Sequence, residues 1–272
     1  MGTTVFELKA VHFSYLGKYP ALCGVDLAIA QGEKIVFLGA NGSGKSTLLH
    51  MLDGLIFPDR GAITAFGEDL CEERFNDRAF SLDFRRKVGL VFQNSDIQLF
   101  CPTVKEDILF APLQLGLSRR ETEARFEELT AILGIKGLLE RAPHQLSIGE
   151  KRKVAIASTL IIDPEVLLLD EPTAGLDPKT SCALIDTLVD DKKLARTVVI
   201  STHDLHIVPE IAERVIVLGE DKRVVREAAP DELLHDRPFL EAHNLVHAHA
   251  HRHKGVVHVH PHEHLEHQHG KG

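Results

Sequence analysis

The sequence has few cysteines, and they form no cluster. The four cysteines, Cys23, Cys71, Cys101 and Cys182, lie far apart and include no C-x-x-C pair. This spacing suggests neither a disulfide framework nor a thiolate zinc site, and it fits a reducing, cytosolic compartment.

Long apolar runs and an excess of basic residues are also missing. No apolar run reaches the roughly 18 to 20 residues that a membrane-spanning helix needs. The N-terminus MGTTVFELKAV lacks the apolar region of a signal peptide. We therefore expect any membrane association to be peripheral. The formal net charge of −9 over 272 residues argues against a nucleic-acid partner, which would need clustered Lys and Arg.

Short apolar segments predict an α/β fold. TVFELKAVHFSY and LCGVDLAIAQGE alternate apolar and polar residues, as strands of an antiparallel layer do. KIVFL is a short apolar strand that precedes a glycine-rich loop and a helix. The runs at 165–170 and 197–202 are typical of buried parallel strands, with a crossover helix between them.

Helical spacing dominates from about residue 95 to 160 and predicts a helical subdomain inserted into the sheet. ERVIVLGEDKRVVREA predicts a final hairpin, and PDELLHDRPFLEAHNL predicts a helix with its cap. Periodic burial ends after residue 243. We therefore expect one domain over 1–242 and a histidine-rich flexible tail over 243–272.

A phosphate-binding loop is predicted between the KIVFL strand and the following helix. GANGSGKS fits the pattern G-x-x-x-x-G-K-[ST] in that context. Its glycines let backbone N–H groups converge on a phosphate, Lys45 reaches the β and γ oxygens, and Ser46 is a candidate Mg²⁺ ligand. The predicted nucleotide-binding residues of this loop are Gly39, Ala40, Asn41, Gly42, Ser43, Gly44, Lys45, Ser46 and Thr47.

An acidic pair follows a second apolar strand, in VLLLDEP. Asp170 is predicted to hold Mg²⁺ through water, and Glu171 to polarise the water that attacks the γ-phosphate. An Asp at a strand end is by itself weak evidence for a metal and water site. The phosphate loop in the same chain makes that evidence strong.

At this point the chain resembles the ATP-binding-cassette (ABC) ATPases from residue 4 to about 242. LSIGE at 146–150 stands where that family has its LSGGQ signature. VFQ ending at Gln93 matches the Q-loop, AGLD ending at Asp177 the D-loop, and His203 the switch histidine, while Tyr15 takes the place of the adenine-stacking aromatic. The resemblance implies a P-loop NTPase with a RecA-like core, ATP and Mg²⁺ as cofactors, Gln93 near the Mg²⁺, and Glu171 and His203 as catalytic residues.

The resemblance also implies a head-to-tail dimer with ATP between the phosphate loop of one subunit and the signature of the other. Ser147 and the backbone of Gly149 would then contact the γ-phosphate in trans, at a helix N-terminus that suits an anion. The departures are Ile148, where the family usually has glycine, and Glu150 for Gln. We expect the β-branched Ile148 to slow closure or hydrolysis and to spare binding.

The segment QNSDIQLFCPTVKEDILFAPLQLGLS, together with the chain's compact length, is similar to the energy-coupling-factor type of ABC ATPase, which drives uptake of vitamins and transition metals, with the cobalt and nickel branch nearest. The matching residues are Gln98, Leu99, Phe100, Val104 and Asp107. The resemblance implies a groove here for a coupling helix of a membrane subunit. With one cassette per chain, a homodimer is the simplest assembly, and a paired paralogue would serve equally, at the cytoplasmic face of the membrane.

The C-terminal segment has a histidine at almost every second position. Eleven of the chain's 17 histidines lie from His243 onward. Imidazole suits Ni²⁺ and Co²⁺, and H-x-H spacing lets neighbouring rings meet one ion. A purification tag, a solvated tail and a metal buffer all remain open, and the buffer fits the spacing best. The candidate ligands are His247, His249, His251, His253, His258, His260, His262 and His264.

The favoured interpretation is the ATPase of a nickel or cobalt importer. The alternatives are the ATPase of a vitamin importer, a soluble ABC protein outside transport, and a metal-storage protein with a vestigial ATPase. The acidic charge and the single cassette argue against the soluble class.

Overall fold

An antiparallel sheet covers one side of the molecule. The computed structural model describes residues 3–189, 196–246, 248–253 and 256–261. The strand order in this sheet is β2-β1-β4-β5. Its strands are β1 (Thr4–Tyr15), β2 (Tyr19–Ala30), β4 (Arg60–Ala65) and β5 (Glu68–Asp69). The alternation seen in the sequence is the inward and outward alternation of these strands.

A six-stranded sheet forms the centre, in the order β10-β9-β3-β8-β7-β6. Neighbours from β9 to β6 run parallel, and β10 pairs with β9 antiparallel. Its strands are β3 (Lys34–Leu38), β6 (Val88–Val91), β7 (Val166–Asp170), β8 (Thr197–Thr202), β9 (Arg214–Leu218) and β10 (Val224–Ala228). The parallel strands are buried on both faces, which explains their continuous apolar runs.

Two apolar clusters sandwich this central sheet. Along β3, Val36 and Leu38 belong to the cluster under the helical subdomain, whereas Ile35 and Phe37 belong to the cluster under the antiparallel sheet. This split follows from the two-residue period of a strand. Both clusters depend on the same strands, so the ends of β3, β7 and β8 are held in fixed relative positions.

The helices follow the predicted order, with additions. The described helices are α1 (Lys45–Leu52), α2 (Glu72–Phe75), α3 (Arg78–Lys87), α4 (Val104–Leu115), α5 (Arg119–Ile132), α6 (Ile148–Leu160), α7 (Pro178–Val189), α8 (Val208–Ile211), α9 (Pro230–His235) and α10 (Arg237–Ala242). Thr103 and Ser118 cap α4 and α5 through their hydroxyls, and Gly116 ends α4 with a φ of 64°. The predicted α/β fold with an antiparallel layer and an inserted helical subdomain is confirmed.

Two features of the helices differ from the sequence-based expectation. Helices α2 and α3 were not predicted, and they pack around a ring cluster of Phe75, Phe80 and Phe84. The segment after Pro230 forms two helices, α9 and α10, because Asp236 ends one and caps the other. None of the helices in the described part of the chain is long and apolar enough to span a bilayer.

The histidine-rich segment forms a hairpin, where an unstructured tail was expected. The hairpin consists of β11 (Ala248–His253) and β12 (Val256–Pro261), and its register pairs His249 with His260 and His251 with His258. The reason lies in the sequence, because alternating His with Val and Ala has the two-residue period of a strand. The predicted ligands His247, His262 and His264 lie outside the described residues.

Candidate functional site

The predicted phosphate loop lies between β3 and α1, as expected. Gly44, at the start of α1, has a φ of 107°, which a side chain would strain. A Cβ on Gly44 would lie 2.4 Å from the carbonyl oxygen of Ala21, and one on Gly39 would lie 2.5 Å from Ser43 Oγ. The loop therefore has no room for side chains at these positions, which lets a phosphate approach its backbone closely.

Lys45 is buried inside this loop. Its ammonium donates hydrogen bonds to the carbonyl oxygens of Gly39 at 2.7 Å and Ala40 at 3.2 Å, and it lies 3.8 Å from Glu171 Oε1. Burial lowers the pKa of Lys45, and the nearby carboxylates of Glu171 and Asp170 oppose that shift. The loop thus holds a cation at the position where the motif needs one.

Asp170 lies at the end of β7, directly beside Ser46. Ser46 Oγ donates to Asp170 Oδ1 at 3.0 Å, and the hydroxyl of Ser201, on β8, donates to the same oxygen. Two hard oxygen donors therefore converge at one edge of the sheet, a set that suits Mg²⁺. Ser43 Oγ is buried without a hydrogen-bond partner in the described part of the chain, as expected for a loop that receives a ligand.

The described residues contain no group of three or more His, Cys, Asp or Glu side chains that could hold a metal ion. Magnesium held by Ser46 and Asp170 would therefore need phosphate oxygens to complete its coordination, which fits a metal that enters with a nucleotide. The residues present fit Mg²⁺ bound in this way.

Glu171 adopts a strained backbone conformation beside Asp170. Its φ is 45°, which is uncommon for a residue with a side chain and clusters at functional sites. The side chain is 5% exposed; its Oε1 lies 2.9 Å from His203 Nδ1, and its Oε2 accepts from Thr202 Oγ1 at 3.4 Å. The geometry brings the predicted base and the predicted switch histidine into direct contact.

A cleft of about 460 Å³ opens above the phosphate loop. Tyr15, Gln93 and Glu171 line it together with the loop residues. Tyr15 is anchored by its hydroxyl, which lies 3.1 Å from Thr47 Oγ1, and by an edge contact with Phe13. Most of the predicted nucleotide-binding residues therefore line one opening, whereas Gly39, Ala40, Ser43 and Asp170 lie behind its lining.

The sequence-based reasoning missed several residues of the cleft. Tyr19 lies opposite Tyr15 across the β1–β2 turn and lines the same opening. It is the only other tyrosine of the chain, which is a signal that could have found it. Ser201 and Thr202 gave no such signal, because they belong to an apolar strand and only the fold places their hydroxyls on Asp170 and Glu171.

The signature segment does not line this cleft. Ser147 caps α6, and its hydroxyl accepts from the Glu150 backbone N–H at 3.3 Å. The Glu150 carboxylate accepts in return from the Ser147 backbone N–H at 2.8 Å and from its hydroxyl at 2.8 Å. These bonds lower the pKa of Glu150, because they stabilise its charged form. The predicted site is thus divided into two parts within one chain.

Ile148 projects into solvent at this helix end. It is 66% exposed, and its Cγ2 lies 3.7 Å from a Cβ built on Gly175 in the D-loop. Asp177, the other D-loop residue singled out, caps α7 by accepting from Thr180 N at 3.0 Å.

The residues predicted to form a coupling-helix groove behave mostly as internal supports. Leu99, Val104 and Asp107 are buried, and Asp107 Oδ1 accepts from the backbone N–H groups of Phe100 and Cys101. Gln98 points inward, toward α6. The large apolar side chains that this segment exposes are Ile97, Phe100, Phe110 and Leu113.

The turn between β9 and β10 joins the phosphate loop to the start of the histidine-rich segment. Lys222 Nζ donates to the carbonyl oxygen of Gly42 at 2.6 Å. Two residues earlier, Glu220 Oε1 accepts from Asn244 Nδ2 at 2.7 Å. Leu245 and Val246 pack against the core, so the folded domain extends slightly beyond the predicted boundary at residue 242.

Comparison with known sequences shows which family the chain belongs to. Residues 22–174 match the family model described as ABC transporter. A nickel import ATP-binding protein of Rhodobacter capsulatus is 51% identical over 223 residues, which cover 81% of this chain and 87% of the relative. An energy-coupling factor transporter ATP-binding protein of Methanothermobacter thermautotrophicus is 41% identical over 241 residues, which cover 89% of this chain and 76% of the relative.

Solved structures give the same picture. The ATPase cbiO1 of Clostridium perfringens, part of the ABC transporter complex cbiONQ, matches with a TM-score of 0.74 and 34% identity, over 89% of this chain and 95% of that chain. A bacterial ABC transporter cassette solved as a dimer matches with a TM-score of 0.73 and 30% identity, over 83% of this chain and 98% of that chain.

Proposed function

Because the chain belongs to the ABC transporter ATP-binding family, we propose that it is the ATPase of an energy-coupling-factor importer for nickel or cobalt ions. As a member of this family it hydrolyses ATP to ADP and phosphate. The finer proposal concerns what that hydrolysis drives and through which partners.

The observation that carries the proposal is the division of the site. The cleft is lined by the phosphate loop with Ser46, and by Gln93 and Glu171, while Ser147 and Gly149 belong to a separate, accessible helix end. A second subunit facing head to tail would bring these two parts together. A homodimer meets this need most simply, and a paired paralogue would also meet it.

Each predicted site residue then has a role in the hydrolysis of the terminal phosphate of ATP. Lys45 and the loop amides hold the β and γ phosphates. Ser46, Asp170 and Gln93 would hold Mg²⁺, which would supply positive charge against the phosphates. Glu171 accepts the proton of the attacking water, and His203 keeps its carboxylate in place. Tyr15 supports the adenine, and the signature of the partner subunit covers the γ-phosphate through Ser147 and Gly149.

The cargo is inferred from the relatives and from the histidine-rich hairpin. One relative is a nickel import ATPase at 51% identity, and nickel and cobalt are ions that imidazole binds well. The hairpin register sets His249 opposite His260 and His251 opposite His258, which brings four histidines into one short segment. We propose that this segment binds Ni²⁺ or Co²⁺ near the transporter and takes no part in hydrolysis.

The membrane partner is inferred from the surface around α4. Ile97, Phe100, Phe110 and Leu113 are exposed, and Phe100 and Phe110 contact edge to face with ring centroids 4.9 Å apart. An apolar patch of this kind suits a short helix of an integral membrane subunit, which would hold the ATPase at the cytoplasmic face.

The experiment that tests the proposal is uptake in reconstituted vesicles. The ATPase is co-purified with its membrane subunits, and uptake of radioactive Ni²⁺, Co²⁺ and a B vitamin is measured with ATP on the ATPase side. We expect ATP-dependent uptake of Ni²⁺ or Co²⁺, and its loss in the Glu171→Gln complex. Uptake of the vitamin alone would establish the vitamin-type alternative, and hydrolysis that moves none of the three would overturn the proposed transport function.

A further inference from the structure

Arg152 is a buried cation that lies one turn into α6. It is 3% exposed, and in the described part of the chain its guanidinium forms no ion pair with a carboxylate. Its Nε is buried without a hydrogen-bond partner among those residues. The comparable Arg214 pairs with both Glu33 and Glu227. A buried cation without a carboxylate partner opposes folding. We therefore expect Arg152 to have a role beyond packing.

The partners of Arg152 are two successive carbonyl oxygens of the Q-loop. One terminal nitrogen donates to Phe92 O at 2.6 Å, and the other donates to Gln93 O at 2.5 Å. A planar guanidinium fixes both carbonyls at once, which a lysine could not do. The backbone of the residue predicted to reach Mg²⁺ is therefore bonded directly to the helix that begins at the signature segment.

Gln98 makes a second connection between the same two elements. Its Oε1 accepts from Phe92 N at 3.2 Å, and its Nε2 donates to Ala155 O at 3.2 Å and to Thr159 Oγ1 at 3.0 Å. Lys151 adds an ion pair with Asp96 at 2.6 Å. The stretch from residue 92 to 98 is thus attached to α6 at its beginning, middle and end.

Arg152 also lies within electrostatic range of the catalytic carboxylates. Burial lowers the pKa of Arg152, and Asp170 and Glu171 oppose that shift. The Arg152 guanidinium therefore bonds the Q-loop to the signature helix and also feels the charge of the acidic pair.

We propose that Arg152 is a positioning residue that makes the Q-loop and the signature helix move as one body. Nucleotide bound in the cleft of a subunit, through Gln93, would then set the position of Ser147 and Gly149 that the same subunit offers to its partner. This inference rests on the ATPase assignment and is independent of the cargo.

The test compares nucleotide binding with nucleotide-driven dimerisation. Arg152→Met and Arg152→Lys are made in the Glu171→Gln protein, and dimerisation is followed by analytical ultracentrifugation over a range of Mg-ATP concentrations. We expect the Met variant to need about tenfold more ATP for half dimerisation, while binding of ATP to monomers at low protein concentration changes by less than about threefold. Arg152→Lys keeps the positive charge but loses the paired N–H donors of the guanidinium. Its ATP requirement for half dimerisation should therefore lie between those of the parent and the Met variant.

In the protein with Glu171 intact, Arg152→Met is expected to lower kcat about tenfold with little change in KM. Arg214→Met is the matched control, because it also removes an arginine that donates to a backbone carbonyl. Arg214 donates to Ala28 O, far from the cleft. That variant should lower the melting temperature and leave dimerisation unchanged.

Two results would overturn the inference. One is dimerisation and kcat of Arg152→Met within about twofold of the parent, and the other is a loss of monomer binding as large as the loss of dimerisation. If Arg152→Met does not fold, the Lys variant decides by the same criteria. Failure of the import proposal would look different, as normal dimerisation and hydrolysis without uptake.

Discussion

The phosphate loop and the signature segment both end in a helix N-terminus suited to an anion, yet they are built in opposite ways. Helix α1 begins at Gly44 with no side-chain cap and no acidic residue in its first turn. Helix α6 begins at Ser147 with a complete capping box that places the Glu150 carboxylate on the helix end. The first end is open to a phosphate within its own chain, whereas the second already carries a negative charge. The difference shows that the two helix ends are not equivalent, because only the first is open to an anion within its own chain.

The largest difference between the two parts of the site should appear when the proposed base, Glu171, is removed from the part that contains the phosphate loop. Glu171→Gln keeps the size and the contact with His203 but cannot accept a proton, so we expect ATP hydrolysis to fall by about 10² to 10⁴. Phosphate release measures the loss. Glu150→Gln is the matched control, because it makes the same change at the signature end, and it should hydrolyse within about threefold of the parent. Equal losses in the two variants would show that the halves do not have separate roles.

The second prediction sharpens the comparison at the exposed half. Ile148→Gly removes a β-branched side chain from the helix end, so the backbone can approach a phosphate closely. We expect kcat to rise by about two- to tenfold, with unchanged ATP binding to the monomer. Ile148→Val keeps the branched side chain and should behave like the parent. A gain in monomer binding would contradict a role in trans.

The third prediction uses a buried carboxylate behind the phosphate loop. Asp53, at the end of α1, pairs with Arg85 at 2.9 Å, and burial raises the pKa of Asp53 to about 7 despite that pair. The folded protein therefore binds a proton that the unfolded chain releases at lower pH, so stability should decrease as the pH rises from about 4 to about 7. Asp53→Asn should flatten this slope and raise the melting temperature at pH 8 by a few degrees, about 2 to 4 °C.

Thermal melts of parent and Asp53→Asn between pH 5 and pH 8 measure this effect. Asp59→Asn, at an accessible position, is the control and should follow the parent at every pH. An Asp53→Asn protein that loses stability at pH 8 would mean that the ion pair with Arg85 outweighs the burial of the carboxylate.

The smallest effect is expected from the histidine-rich segment. A chain that ends at Val246 keeps Leu245 and Val246 on the core, and its hydrolysis should stay within about twofold of the full chain. Binding of Ni²⁺, measured by calorimetry, should be lost, and uptake should weaken only at low metal concentration. Undiminished Ni²⁺ binding would place the metal site elsewhere in the chain.

The fold was predictable wherever a local period or motif was long enough to be decisive. The strands of the central sheet and the GANGSGKS loop fall in this class, because each combines burial with a fixed spacing. Helices α2 and α3 escaped prediction because they are short and polar, and their few phenylalanines pack on one another rather than along a long apolar face.

The residues of the candidate site were easier to predict from the sequence than the arrangement of their side chains and backbone. The motifs marked Lys45, Asp170 and Glu171, but no local pattern could indicate that Glu171 has a positive φ or that Gln98 turns away from the surface. Both features depend on contacts between segments that are far apart in sequence. The capping role of Glu150 was not predicted, although Ser147 and Glu150 have the S-x-x-E spacing of a capping box.

The Glu150 carboxylate would also affect how long a closed dimer persists. In a closed dimer it would lie at the helix end that faces the γ-phosphate of the partner, and two negative charges at that distance repel each other. Closure would then work against this repulsion, and opening would be faster than with a neutral glutamine. In the proposed dimer, a carboxylate that never touches the bond being broken would thus shorten the lifetime of the closed state by a small factor.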